Sequence, residues 1–225
     1  MKIIELESTD STNEYCKRIA NGQDVIVTAK SQTAGKGTKG RSFVSDGGGL
    51  YISIMRHNSV QSGCAFKIMI DSCTAVCKTL QSFGLAPVIR WANDVLVNGK
   101  KICGTLIENT FRGDSVSRSI VGMGINVNNT LPQELQDIAT TMKQAAGKEF
   151  DVCAVRDKLI KNLQKSYSLK QYKSFINWFG QEIILKCADG EIRAVVQDVA
   201  EDGRLICKVD GKTVKMSSAE VSLRL

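Results

Sequence analysis

The residues best suited to chemistry are the run Gly35-Lys36-Gly37-Thr38-Lys39-Gly40-Arg41, the pair Asn93-Asp94 and the pair Lys100-Lys101. Glycines let backbone amides approach an anion closely, and Lys36, Lys39 and Arg41 add positive charge without help from a helix dipole. The run satisfies G-x-G-x-x-G and follows a β-branched segment, Val25-Ile26-Val27. A dinucleotide-binding loop must open a helix, whereas here the chain passes through Gly47-Gly48-Gly49 into another strand pattern. A P-loop is excluded too, because no glycine stands five residues before Gly35-Lys36.

Other chemistries are narrowed by what is scarce. The single histidine, His57, rules out zinc sites built on paired histidines and leaves one base for a serine or cysteine nucleophile. The eight cysteines, at 16, 64, 73, 77, 103, 153, 187 and 207, contain no C-x-x-C and are expected to be buried thiols in a reducing cytosol. Catalysis is then expected to use groups other than histidine. The net charge of +7 is unevenly spread: residues 25–70 carry six basic side chains against Asp46 alone, and residues 141–180 carry eight against three. The second excess follows helical spacing and reads as a solvated face. With no signal-peptide core and no apolar stretch near the roughly 18 residues of a membrane span, a cytoplasmic protein with no membrane partner is expected.

Elements must bring these residues together. Ser11-x-x-Glu14 reads as a capping box opening a helix over about 11–21, stopped by Gly22. Val25-Ile26-Val27 is a strand, residues 31–48 form a long polar loop of the functional kind, and alternation at 49–56 gives another strand. Apolar positions 66, 69, 73, 76, 77, 80 and 83 set a core helix over about 62–83, closed by Gly84. Residues 87–91 form a strand, Asn98-Gly99 and Arg112-Gly113-Asp114 turn two hairpins, and helices are expected near 132–146, 151–168 and 170–179. Beyond Gly180, Asp-Gly pairs at 189–190, 202–203 and 210–211 punctuate short β-branched runs, as in a small SH3-like β barrel. The expected class is α+β, with residues 1–180 as one domain and 181–225 as a second.

Five segments in register carry a family resemblance: Ser11-Thr12-Asn13, Gln32 through Arg41, Trp91-Ala92-Asn93-Asp94, Lys100 through Gly104 and Gly122 through Asn126. Their order and spacing resemble biotin protein ligases, in the short form that lacks an N-terminal DNA-binding domain. The resemblance implies a mixed sheet flanked by helices, of the class II synthetase kind. It implies activation of biotin by ATP with Mg²⁺ to biotinyl-5′-AMP, then transfer of biotin to a lysine of a biotin carboxyl carrier protein. Such chemistry suits a chain poor in histidine, because the biotin carboxylate arrives ionised and needs alignment and charge stabilisation.

By this resemblance Lys101 sits between biotin carboxylate and α-phosphate, and Lys36 assists it catalytically. Ser11, Thr12, Asn13 and Gln32 meet the ureido ring, while Gly35, Lys36, Gly37 and Thr38 close over biotin. Lys39, Arg41, Asn93 and Asn126 serve the nucleotide, and Asp94 is the candidate Mg²⁺ ligand. The family usually has arginine where Thr38 stands, so looser retention of the adenylate is expected unless Lys39 or Arg41 substitutes; it usually has proline where Ala92 stands, a loss of rigidity before Asn93 rather than of chemistry. Trp91 reads as a core residue. Two rival readings stand beside this one. A lipoate ligase shares the Asn-Asp and Gly-Lys-Lys pattern but not the Gln32 to Gly37 run. A nucleic-acid binder would need exposed aromatics, and residues 181–225 contain no Phe, Tyr or Trp. The first motif begins near residue 8, so neither a preceding helix-turn-helix nor DNA binding is expected. The sequence leaves homodimerisation open.

Overall fold

The computed structural model describes residues 1–187, 190–218 and 222–224; Asp189 of the first expected Asp-Gly turn lies outside the described residues. The elements run β1 (Lys2–Thr9), α1 (Thr12–Arg18), β2 (Val25–Gln32), β3 (Leu50–Gln61), α2 (Phe66–Ser82), β4 (Pro87–Arg90), β5 (Asp94–Val97), β6 (Lys100–Arg112) and β7 (Ser115–Ile125). Next come α3 (Met142–Ala146), α4 (Val152–Leu163) and α5 (Leu169–Lys173), followed by β8 (Glu182–Cys187), β9 (Gly190–Val199), β10 (Leu205–Val209), β11 (Lys212–Met216) and β12 (Ser222–Arg224). Strands β1 to β7 form one mixed sheet in the order β1-β2-β3-β7-β6-β5-β4, in which only β1 and β2 pair in parallel. Strands β8 to β12 form a separate antiparallel sheet in the order β11-β10-β9-β8-β12.

The period-2 alternation along β3 divides the chemistry between two faces. Leu50, Ile52 and Ile54 point into the main core beneath α2, α4 and α5, together with Val76, Leu80, Ile102 and Ile125. Tyr51, Ser53 and Met55 point the other way, where α1 covers a smaller core of Cys16, Val25, Val27, Met55 and Ile120. Helix α1 is too short to cover that whole face, so a trough stays open beside it. The main core runs on into the second sheet through Leu185, Val196 and Leu205. Trp91 Nε1 donates to Gly203 O (2.9 Å), and the Phe66 ring lies against Gly203 with no room for a Cβ. Trp91 is thus a core residue that joins the two sheets.

Turn chemistry forms as the sequence dictates. Asn98 (φ 51°) and Gly99 (φ 76°) turn β5 into β6, and Asp210 (φ 46°) and Gly211 (φ 80°) turn β10 into β11. Several expectations need correction. The capping box at α1 does not form: Ser11 makes no side-chain cap, and Glu14 is drawn instead to Lys17 and Lys36. The helix expected over 132–146 shrinks to a 3₁₀ turn at Gln133–Leu135 and the short α3. Residues 138–140 lie extended against Lys101, which donates to Ile138 O and accepts from Thr140 N, and a Thr141–Gln144 capping box starts α3 only afterwards. Helices α4 and α5 also stop short of the expected 168 and 179. Strand β1 was not anticipated. Cys64 and Cys153 are exposed rather than buried, whereas burial holds the Cys16 and Cys73 thiols up at about 12.

Candidate functional site

Three glycines make the floor of the trough. Gly122 and Gly124 on β7 and Gly104 on β6 stand on the face that α1 leaves open, and Gly104 is paired directly with Gly124. Each is needed for space rather than for backbone freedom. A Cβ on Gly122 would lie 2.2 Å from Asn13 Oδ1, one on Gly124 2.6 Å from the Phe43 ring, and one on Gly104 3.0 Å from Lys101 Nζ.

At one end the start of α1 supplies a compact polar network. Thr12 N and Thr12 Oγ1 both donate to Gln32 Oε1 (2.8 and 3.0 Å), and Gln32 Nε2 donates to Ser45 Oγ (2.8 Å). Ser53 Oγ lies 2.7 Å from Thr12 Oγ1 and 2.6 Å from Asn13 Oδ1. Ser11, Thr12 and Asn13 are all buried, so each unmet polar atom there carries a cost of about 1–3 kcal/mol. An occupant able to exchange hydrogen bonds with uncharged groups suits this end.

The glycine run forms a narrow hairpin across the top. Phe43 N donates to Gly35 O (2.8 Å), Gly37 N to Arg41 O (2.6 Å), and Lys36 bridges Ser42 in antiparallel fashion. This folds Phe43 inward, where its ring meets Tyr51 edge-on at 6.5 Å and the Lys101 ammonium at 5.8 Å. Outside, Lys36 Nζ reaches Glu14 Oε1 (2.6 Å), which Lys17 also holds (2.8 Å). Hydrogen bonds from Lys17 and Lys36 keep the Glu14 carboxyl below its usual range, against the opposing effect of burial.

The opposite end is cationic. Lys101 Nζ lies 2.7 Å from Asp94 Oδ1 as a close ion pair rather than an aligned hydrogen bond, while Arg90 Nη2 donates to Asp94 Oδ2 (2.7 Å). This bears on Asp94 as a holder of Mg²⁺. Both carboxylate oxygens already face cations, and among the described residues no group of three or more His, Cys, Asp or Glu side chains converges. A protein-held divalent ion at Asp94 would meet two positive charges at contact distance, so the residues do not fit it and that expectation is corrected.

Of the residues singled out in the sequence, Ser11, Thr12, Asn13, Gln32, Lys36, Gly37, Thr38, Asn93 and Lys101 line this one pocket. Asp94 stands just behind it. Gly35 is tucked beneath the hairpin, where a Cβ would meet Phe43 O at 2.4 Å. Arg41 folds onto Thr38, donating to its O and Oγ1, and Lys39 takes a left-handed conformation at the hairpin tip. Asn126 is buried away from the pocket, its Nδ2 donating to Thr140 O and its Oδ1 accepting from Asn129, so it braces the loop beside Lys101. Sequence reasoning passed over Phe43, Ser53, Thr105 and Glu108. An aromatic inside a polar loop was the one legible signal among them, since the others depend on which face of a strand is left open.

Comparison with known proteins finds family matches in two parts of the chain. Residues 5–126 match the model of the Biotin/lipoate A/B protein ligase family, and residues 179–224 match the Biotin protein ligase C terminal domain. The bifunctional ligase/repressor BirA of Bacillus subtilis is 29% identical over 98% of this chain and 74% of that protein. A biotin--[acetyl-CoA-carboxylase] ligase of Paracoccus denitrificans is 33% identical over 54% of this chain and 53% of that one. Among solved structures, the biotin protein ligase of Aquifex aeolicus in complex with biotin and ATP superposes with a TM-score of 0.80 at 28% identity, covering 99% and 98% of the two chains.

Proposed function

Because this chain belongs to the Biotin/lipoate A/B protein ligase family, we propose that its pocket is where the enzyme activates biotin with ATP before passing it to a lysine of a biotin-carrier protein. The observation that carries the reading is the convergence of five segments distant in sequence on one trough, polar and neutral at one end and cationic at the other. The match of residues 179–224 supports biotin over lipoate as the acid activated.

In this reading the ureido ring lies at Thr12, Asn13, Gln32 and Ser53, whose amides and hydroxyls match a neutral bicycle of donors and acceptor. The acid then points along the glycine floor toward Lys101. Carboxylate oxygen attacks the α-phosphorus of ATP, the bond to the β-phosphate oxygen breaks, and pyrophosphate leaves with the electron pair. Lys101 stabilises charge at carboxylate and phosphate; one charge-assisted hydrogen bond of this kind contributes about 1.5–3 kcal/mol, and more in a site closed to water. Lys36 and the hairpin amides add charge from above. In the second step the carrier's ε-amino group attacks the acyl carbon, AMP leaves, and the amine proton is lost.

We further read residues 1–180 as the catalytic domain and 181–225 as the smaller one. The carrier is read as meeting the basic side chains of residues 25–70, with no DNA involved. Added salt should then weaken transfer to the carrier more than it weakens adenylation. The deciding experiment is biotin-dependent ATP–pyrophosphate exchange. Wild type should exchange and Lys101→Ala should not. Exchange that persists in the variant overturns the role of Lys101, and no exchange in wild type overturns the function.

A further inference from the structure

We infer that Glu108 is a positioning residue for this pocket: acting through Asn13, it keeps the empty ureido end one hydrogen-bond donor short, and so ready for an N–H-bearing ligand. The inference rests on the reading of the pocket as a biotin site.

The argument is a count of protons. Glu108 stands on β6 outside the pocket lining, and its Oε2 accepts from Asn13 Nδ2 (2.8 Å) while Lys17 Nζ occupies its Oε1 (2.6 Å). An ionised carboxylate only accepts, so Asn13 must turn its NH₂ toward Glu108 and its carbonyl toward Ser53. At the other end the Thr12 backbone N–H and hydroxyl both enter Gln32 Oε1, which fixes that amide and consumes the Thr12 proton. Ser53 is left between two oxygens, Asn13 Oδ1 at 2.6 Å and Thr12 Oγ1 at 2.7 Å, with a single proton to give.

One acceptor therefore lacks a donor while the pocket is empty, and a ureido N–H would supply it. If Asn13 were to flip, its NH₂ would donate to Ser53, Ser53 would donate to Thr12, and the network would close on itself without a ligand. Glu108 forbids that flip. The absence of a Cβ on Gly122 lets Asn13 Oδ1 stay at this depth.

Glu108→Gln tests this with little change of volume, because its own NH₂ can donate to a flipped Asn13. By calorimetry on the whole 225-residue chain, the biotin Kd should rise about tenfold, the loss expected for one hydrogen bond to a committed acceptor, with the ATP Kd unchanged. In an Asn13→Ala background the same substitution should have no further effect on the biotin Kd. Additive effects of the two substitutions, an unchanged biotin Kd in Glu108→Gln, or a parallel loss of biotin and ATP affinity with a lowered unfolding midpoint each overturn the inference. Wild type that binds no biotin overturns the underlying reading of the pocket, an outcome seen before any variant is compared.

Discussion

Lys101 and Asp94 meet across the β5–β6 pair, ammonium to carboxylate at 2.7 Å, on a carboxylate that Arg90 grips from its other oxygen at the same distance. The cation assigned to the reacting carboxylate and phosphate is therefore held in advance. Its direction is set by a group that takes no part in the reaction.

Asp94→Asn tests that arrangement, since it keeps the shape and removes the charge. Lys101 loses its anchor, and kcat/KM for pyrophosphate exchange should fall at least about tenfold, or about 1.4 kcal/mol of transition-state stabilisation. Lys101→Met leaves Asp94 with Arg90 alone and should lower stability by about 1–3 kcal/mol in urea unfolding, because Asp94 is a buried acceptor. Exchange at the wild-type rate in Asp94→Asn would show that Lys101 needs no such support.

Gly122→Ala and Gly124→Ala should each block the trough. The first displaces Asn13 and the second displaces Phe43, with contacts of 2.2 and 2.6 Å that neither neighbour can absorb without leaving its place. We expect biotin affinity to drop by an order of magnitude or more. Gly63→Ala, with open space around it, should leave affinity unchanged. Titration calorimetry of the three variants makes the comparison.

Thr38→Arg should slow release of biotinyl-adenylate. Thr38 lines the pocket and accepts from Arg41 at both its Oγ1 and its O, so the Arg41 guanidinium is turned back onto its own loop. A new guanidinium at 38 would restore a charge facing the acyl phosphate. An adenylate off-rate equal to that of wild type would rule this out.

Acid should loosen the chain around α1. The Arg18 guanidinium holds the Asp10 carboxyl well below the usual carboxylate range, and Lys17 and Lys36 hold Glu14 lower as well. Folded carboxyls that titrate below their unfolded values bind fewer protons than the unfolded chain. Their stabilisation is present above about pH 4.5 and is lost as the pH falls through the folded values. Both groups are partly exposed, so the effect is modest. Unfolding midpoints measured from pH 6 to pH 3 should fall less steeply for Asp10→Asn than for wild type, and an identical slope would exclude Asp10 as a contributor.

Much of this is legible in the sequence. Asn98-Gly99 and Gly84 act locally, and turn or cap wherever the neighbouring chain allows. The polar set at 11–13 and 32 could be chosen because a neutral ring calls for neutral partners. Legibility failed where a partner brought up by the fold outbid a local preference. Glu14 had the spacing of a capping box but found two ammonium groups. Residues 138–140 fell within the expected helix but gained backbone hydrogen bonds to Lys101 by leaving it. Asp94 had the chemistry of a metal ligand and is neutralised by residues four positions before it and seven after it. Glu108 was invisible because its importance depends on a 95-residue separation from Asn13 that only folding closes.

The joint at Gly203 also bears on how the protein is made. Every side chain that lines the pocket has been synthesised by residue 124. Even so, the Trp91 indole, two positions before Asn93, receives its partner 112 residues downstream. The residues that form the pocket are thus complete in sequence long before the turn between β9 and β10 that closes behind Trp91 and Phe66.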